Sequence, residues 1–66
     1  MITEIELEKL GFKSVGLHGN MFVYKNHRIE TDYKSFDLLY IHENSGIEFV
    51  CELQNIKHLK KTIKFE

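Results

Sequence analysis

The stretch from Phe36 to Leu53 constrains the fold more than any other part of this sequence. Two segments rich in aromatic and branched residues, 36–42 and 47–53, flank residues 43–46, which include Asn, Ser and Gly. Two such segments around turn-forming residues are typical of a β-hairpin. We therefore expect a hairpin here, with the rest of the chain built around it.

The residue pattern of this hairpin predicts its register. If His42 pairs with Ile47, one face of the ladder is apolar, with Tyr40 opposite Phe49, Leu38 opposite Cys51 and Phe36 opposite Leu53. A shift of one residue would turn that whole set to the other face. The other face is mixed, with Asp37 opposite Glu52, Leu39 opposite Val50 and Ile41 opposite Glu48.

The N-terminal segment carries signals for a short helix. Thr3 and Glu6 have the spacing of a capping box, in which each side chain accepts a hydrogen bond from the backbone of the other residue. Gly11 can take the left-handed conformation that ends many helices. We expect a helix from about residue 4 to residue 10.

A second hairpin is expected between these two features. Residues 21–25 and 28–33 flank Asn26 and His27, which would form the turn. The predicted pairing places Ile29 opposite Tyr24 in this hairpin. A link at residues 34 and 35 then sets the strand beside the central hairpin, with Tyr33 by Phe36, Thr31 by Leu38 and Ile29 by Tyr40. Residues 13–20 are expected to form a loop or a short edge strand.

The C-terminal segment changes from strand to helix periodicity. Its apolar residues recur at helical spacing, at Leu53, Ile56, Leu59 and Ile63. Its lysines occupy the remaining surface, at Lys57, Lys60, Lys61 and Lys64. This pattern predicts an amphipathic helix.

Together these elements predict an α+β fold in a single small domain, residues 1–66. An antiparallel β-meander of three to four strands, formed by two hairpins, would carry the N-terminal and C-terminal helices on one face. The covered face should hold the apolar set Phe22, Tyr24, Ile29, Phe36, Leu38, Tyr40, Ile47, Phe49 and Cys51.

The uncovered face of this sheet should mix apolar and acidic residues. Its apolar members are Met21, Val23, Leu39, Ile41 and Val50, and its acids are Glu30, Asp32, Asp37, Glu48 and Glu52. Either the face is an ordinary solvated one, or it binds a partner. Asp32, Asp37 and Glu52 should line up across three strands, and a divalent cation, a lysine or a partner's basic residue could neutralise them.

The sequence shows no recognisable catalytic, metal or cofactor motif. His18, His27, His42 and Cys51 lack zinc-ligand spacing, and no phosphate-binding or dinucleotide-binding fingerprint occurs. A single cysteine excludes an internal disulfide framework, and no apolar run approaches the roughly 18 residues of a membrane span. The formal net charge of −1 argues against a bulk nucleic-acid binder. We expect a cytoplasmic protein without cofactor or metal.

The layout resembles that of small uncharacterised α+β proteins encoded by bacteria and their phages. The resemblance rests on the short acidic helix ending in Leu10-Gly11-Phe12, on aromatic hairpins around Tyr24, Ile29 and Leu38-Leu39-Tyr40, and on Ile47-Glu48-Phe49 leading into a Leu/Lys helix. The sequence departs at Glu52, where Thr or Ser would be expected at the start of the helix. The resemblance implies a bacterial or phage setting, in which such proteins often look like inhibitors of host proteins, including defence nucleases.

Our first functional hypothesis is that the protein is a non-enzymatic protein-binding module, similar to anti-CRISPR inhibitors. Its binding residues would be Val23, Glu30, Asp32, Asp37, Leu39, Ile41, Glu48 and Val50, with Ile41 and Val50 as anchors and the acids steering a basic partner. The alternative is a small nucleic-acid binder that contacts phosphates through Lys57, Lys60, Lys61 and Lys64. A homodimer through the same sheet face is compatible with either hypothesis. An enzyme is least favoured, because a chain of 66 residues leaves little room for a ligand pocket of about 300 Å³ or more.

Overall fold

The computed structural model describes residues 2–16, 19–32 and 34–65. The elements are α1 (Glu4–Leu10), β1 (Lys13–Val15), β2 (Met21–Tyr24), β3 (His27–Thr31), β4 (Phe36–His42), β5 (Gly46–Leu53) and α2 (Ile56–Thr62). The strands form one antiparallel sheet in the order β1-β2-β3-β4-β5. The predicted α+β meander is confirmed, but it has five strands rather than three or four. His18 and Tyr33 lie outside the described residues.

Helix α1 has the bounds that its capping residues predict. The Glu6 backbone N–H donates to Thr3 Oγ1 (3.2 Å), and the Thr3 backbone N–H donates to Glu6 Oε1 (2.9 Å). At the other end Gly11 adopts φ +108°, a conformation that is costly for residues with a Cβ atom. The predicted helix and both of its ends are confirmed.

Strand β1 shows that residues 13–15, within the segment expected to be a loop or a short edge strand, form an edge strand. Lys13 to Val15 pair with Val23 to Met21 of β2. The strand is only three residues long, too short for the period-2 alternation that identifies a strand from sequence. Pairing with β2, rather than local preference, therefore decides its conformation.

The registers of β2–β3 and β3–β4 differ from the prediction by two residues. Ile29 lies opposite Phe22 and Leu38, instead of Tyr24 and Tyr40. The first turn is formed by Lys25 and Asn26, with Lys25 at φ +52°, one residue earlier than expected. A shift of two residues keeps every side chain on its predicted face, because side chains alternate with period two.

The β4–β5 ladder follows the predicted register only in its first half. Phe36, Asp37 and Leu38 lie opposite Leu53, Glu52 and Cys51 as predicted. Beyond Leu38 the ladder shifts by one residue, so Leu39 pairs with Phe49 and His42 with Gly46. Val50 is the extra residue, and the irregularity is a β-bulge.

The core lies between the sheet and the two helices. Its fully buried members include Leu7 of α1, Leu59 of α2, Ile29 of β3 and Leu38 of β4. Because both helices contribute to this one cluster, they cover the same face of the sheet, as predicted. Among the described residues, the buried members of the cluster are Ile2, Leu7, Phe12, Phe22, Ile29, Leu38, Leu53, Leu59 and Ile63.

Helix α2 begins later than the apolar spacing alone indicates. Leu53 still belongs to β5, and Asn55 caps the helix by accepting a hydrogen bond from the His58 backbone N–H (2.9 Å). A side-chain oxygen at this position satisfies one of the N–H groups that the first turn leaves unpaired. The expected Thr or Ser cap near Glu52 is therefore replaced by an asparagine three residues further on.

Candidate protein-binding surface

The face of the sheet opposite the helices is the outer face. Residues directly opposite one another in an antiparallel ladder share a face, so the register assigns its members. One row across the strands runs through Lys13, Val23, Arg28, Leu39 and Phe49. A second row runs through Val15, Met21, Glu30, Asp37 and Glu52. Ile41 and Ile47 form a third row at the end of the β4–β5 hairpin.

Four apolar side chains adjoin on the outer face and form what we term the apolar patch: Leu39, Ile41, Ile47 and Phe49. Ile47 is 52% exposed and Phe49 is 59% exposed, whereas Leu39 and Ile41 are half-buried between their neighbours. Val50, 40% exposed at the bulge, lies beside Phe49 in sequence. A contiguous apolar patch of this kind marks interaction sites more often than scattered apolar residues do.

The bulge at Val50 creates the patch. In a regular ladder Phe49 would have paired with Tyr40 and Ile47 with His42, both on the helix-covered face. The one-residue shift turns Phe49 and Ile47 to the outer face. The prediction that these two residues belong to the covered face is therefore wrong, and they are exposed residues of the outer face that the sequence reasoning missed.

The same shift moves Glu48 in the opposite direction. Glu48 was predicted on the outer face, but it lies opposite Tyr40 on the helix side of the sheet. There its Oε1 atom is 2.6 Å from Nε2 of His42, and the His42 ring stands edge-on to Tyr40 at 4.8 Å between centroids. Glu48 thus belongs to a polar group at the hairpin end rather than to the outer face.

Three carboxylates form an acidic row beside the apolar patch: Glu30, Asp37 and Glu52. Asp37 lies between the other two, and like charges directly opposite each other destabilise a sheet. Arg28 offsets part of this charge, with Nη2 2.9 Å from Glu30 Oε2. Among the described residues no group of three His, Cys, Asp or Glu side chains is placed to hold a metal ion.

Asp32 does not take part in the acidic row, contrary to the predicted alignment. It follows β3 and holds the turn to β4, where its Oδ1 accepts hydrogen bonds from the backbone N–H groups of Lys34 and Ser35, both at 3.0 Å. These bonds, first that from Ser35 and then that from Lys34, lower the pKa of the Asp32 carboxyl. The two-residue shift in register puts Glu30 where Asp32 was expected.

Arg28 is a third residue of this surface that the sequence reasoning missed. It lies between Val23 and Leu39 near the middle of the outer face, and its side chain is only 24% exposed. Its Nε atom is buried and has no hydrogen-bond partner among the described residues. The sequence does contain a signal for this position. Arg28 lies two residues before Glu30, which is predicted on the outer face, and residues i and i+2 of a strand share a face.

The predicted partner-binding residues are thus divided among four places. Val23, Glu30, Asp37, Leu39 and Ile41 lie together on the outer face. Val50 is at the bulge, Glu48 is on the helix side, and Asp32 is in the β3–β4 turn.

The lysines of the alternative hypothesis lie away from this surface. Lys57, Lys60 and Lys61 are exposed on α2, and Lys64 is exposed just after its end. Because α2 packs on the opposite face of the sheet, they share no surface with the apolar patch.

Cys51 and His27 are two further titratable residues, and both lie on the helix side of the sheet. Cys51 is half-buried beside the core, as predicted. His27 stands edge-on to Tyr40 at 5.2 Å between ring centroids, and burial lowers its pKa. Between described residues, no hydrogen bond joins Cys51 or a serine to a histidine ring.

Two clefts nevertheless open on the molecule, which contradicts the expectation that the chain has little room for one. A cleft of about 470 Å³ lies near Ile2, Phe36 and Gln54. Another, of about 400 Å³, is lined by Tyr24, His27, Tyr40, Lys64 and neighbouring residues. Both volumes fall within the range of small-molecule sites, about 300–1,000 Å³, so size gives no argument against an enzyme.

No helix in the described part of the chain is long and apolar enough to cross a membrane. Searches of protein-family models, of curated proteins and of solved structures found no match to this chain.

Proposed function

We propose that this protein is a non-enzymatic binding module whose partner protein docks on the outer face of the sheet. The observation that carries the proposal is the apolar patch, in which Ile47 and Phe49 each expose more than half of their surface. Both residues come just before the bulge at Val50, which turns them away from the core. Bulges are common where the direction of a side chain differs from that in a regular strand.

The patch has the layout of a protein-binding surface. Fully burying a large apolar side chain contributes about 1.5–3 kcal/mol, so Phe49 and Ile47 would supply much of the binding energy. Around them lie the charged residues Arg28, Asp37 and Glu52. An apolar centre with a polar rim is the usual anatomy of such interfaces. Phe49, Ile47 and Ile41 are the anchors in this proposal.

The acidic row favours a basic partner. Glu30, Asp37 and Glu52 border the apolar patch on one side, and of these Glu30 is the one that has an ion pair among the described residues. Opposite charges across an interface speed association and select partners more than they raise affinity. The partner surface should therefore carry lysine or arginine beside an apolar area.

An inhibitor of a host protein is the biological role that we propose for this module. The resemblance to small phage-encoded and bacterial proteins supports this role. So does the acidic row, because a defence nuclease must itself present a basic surface to nucleic acid. A small acidic and apolar face could occupy such a surface without any catalytic step.

The test is capture of the partner by tagged protein from bacterial lysate, with and without nuclease treatment. We expect a stoichiometric protein that survives nuclease with the wild type and is lost with Ile41→Lys. Circular dichroism should show the same secondary structure for both proteins. Retention of the partner by a folded Ile41→Lys protein would contradict the proposal.

Nucleic-acid binding through the lysines is the second candidate function. The observation in its favour is that Lys57, Lys60, Lys61 and Lys64 are all exposed. Contacts to phosphates release counterions, so the affinity for DNA or RNA should fall steeply with salt. A flat response to salt, or no retention of nucleic acid, would rule this function out.

A further inference from the structure

The two edges of the sheet differ in how they are protected from further strand pairing. The β1 edge is three residues long and contains Lys13, and short strands and lysines are both common ways to block an edge. The β5 edge is eight residues long and contains no lysine, arginine or proline. In the described part of the chain, β5 pairs only with β4.

We propose that β5 accepts an extended segment of the partner protein as a sixth strand. This inference rests on the proposed function and specifies how the partner binds. Strand addition is a common mode of peptide recognition, in which backbone hydrogen bonds supply affinity and alternate side chains supply specificity. The exposed side chains of Ile47, Phe49 and Val50 on this strand supply the apolar contacts.

The rows of the outer face specify the residues of the added segment. Each row ends at the open edge in a residue of β5: the acidic row ends in Glu52, the row through Leu39 ends in Phe49, and the row of Ile41 ends in Ile47. A lysine or arginine of the added segment beside Glu52 would place a positive charge at the end of the acidic row. Apolar residues of the segment beside Phe49 and Ile47 would extend the apolar patch. Strand β4 already pairs with β5 across the bulge. Its residues opposite Glu52, Phe49 and Ile47 are Asp37, Leu39 and Ile41, which are two positions apart along β4.

An antiparallel segment with that spacing reads basic-x-apolar-x-apolar. A second copy of β5 fits this description poorly. Glu48 and Glu52 are the only charged residues of β5, so a second copy of this strand has no basic residue to place beside Glu52. Charge complementarity therefore selects a basic strand from another protein.

Selection of peptides from a random-sequence display library on the immobilised protein tests the recognised pattern. We expect the selected peptides to share basic-x-apolar-x-apolar, and we expect selection on Glu52→Lys to replace the basic residue by Asp or Glu. Failure to select any peptide, or an unchanged pattern with Glu52→Lys, would overturn the proposal.

Backbone methylation separates strand addition from side-chain docking. One selected peptide is made in two forms, each N-methylated at alternate residues, and the dissociation constants are measured by fluorescence anisotropy. An added strand uses the N–H groups of one edge only, so we expect one form to bind as before and the other to lose about tenfold or more. Equal binding of both forms would overturn strand addition and leave docking on the outer face intact.

The oligomeric state tests whether a second copy of this chain, rather than a partner protein, covers the β5 edge. We expect a monomer by light scattering during size-exclusion chromatography. A dimer that Phe49→Lys converts to monomer would show that a second copy covers Phe49, at the β5 edge or on the outer face, and it would overturn the inference of a basic partner strand.

Discussion

Leu39 lies opposite Phe49 on the outer face of the sheet, although the regular pattern of the hairpin pairs Leu39 with Val50. This one pairing follows from the extra residue at the bulge and sets the character of the whole surface. It places an aromatic ring beside an aliphatic side chain in the apolar patch, where 59% of Phe49 remains exposed. The proposed function depends on it.

The exposure of Phe49 leads to a prediction about stability. Leu38 is fully buried, so Leu38→Ala should cost about 2–5 kcal/mol. Phe49→Ala should cost less than about 1 kcal/mol, as expected for surface sites. The free energies of unfolding can be measured by urea denaturation. A large loss with Phe49→Ala would place this ring in the core and contradict the bulge.

A close contact makes Gly11 more sensitive to substitution than Gly46. Both residues have positive φ, +108° and +100°, but a Cβ at Gly11 would lie 3.0 Å from Cε1 of Tyr24, whereas nothing lies within 4 Å of a Cβ at Gly46. Both Gly→Ala variants should lose about 1 kcal/mol from backbone strain. Gly11→Ala should lose about 1 kcal/mol more from overpacking. Equal losses in urea denaturation would show that the Tyr24 ring moves aside freely.

The cap of α2 gives a prediction with its own matched control. Asn55→Ala removes the oxygen that accepts from the His58 N–H and should cost about 1 kcal/mol. Asn55→Asp keeps an acceptor at this position and should remain close to wild type. Thermal unfolding followed by circular dichroism compares the three proteins. If Asn55→Ala matched the wild type, the cap would contribute nothing to stability.

The His27 side chain gives a prediction about pH. Burial lowers its pKa below the ordinary value, about 6.5 for an exposed histidine. The folded protein then holds this proton less tightly than the unfolded chain, so the stability contribution of neutral His27 is present above pH ~6.5 and is lost as the pH falls below it. NMR titration of the His27 ring should show the lowered pKa directly.

Replacing His27 provides the control for that prediction. His27→Gln has no titrating ring, so its stability should fall less between pH ~7 and ~5 than that of the wild type. The same fall in both proteins would assign the acid sensitivity to other groups.

The sequence predicts the fold well where the signal is local. It also does so where an error in the predicted register leaves each side chain on the correct face of the sheet. The Thr3–Glu6 capping box and Gly11 lie within one short segment and set the bounds of α1. The β2–β3 and β3–β4 registers were each shifted by two residues, which leaves residues such as Ile29 and Leu38 in the core.

Sequence reasoning fails where a single residue is inserted without a local marker. Val50 is an ordinary strand residue, and nothing in its neighbours signals a bulge. The shift is odd, so it exchanges the faces of Phe49, Glu48 and Ile47. Packing of the complete sheet, which the local pattern does not contain, determines which register is lower in free energy.

The most direct test of the outer face as the binding surface compares two exposed isoleucines. Ile47 is 52% exposed in the apolar patch, and Ile5 is 65% exposed on α1, which packs on the opposite face of the sheet. Ile→Lys at either site makes the same chemical change with little effect on the core.

The measurement is the affinity of each variant for the partner captured from lysate. We predict that Ile47→Lys weakens binding by about tenfold or more, corresponding to about 1.4 kcal/mol, and that Ile5→Lys binds like the wild type. Unchanged binding by Ile47→Lys, or an equal loss in both variants, would contradict the account.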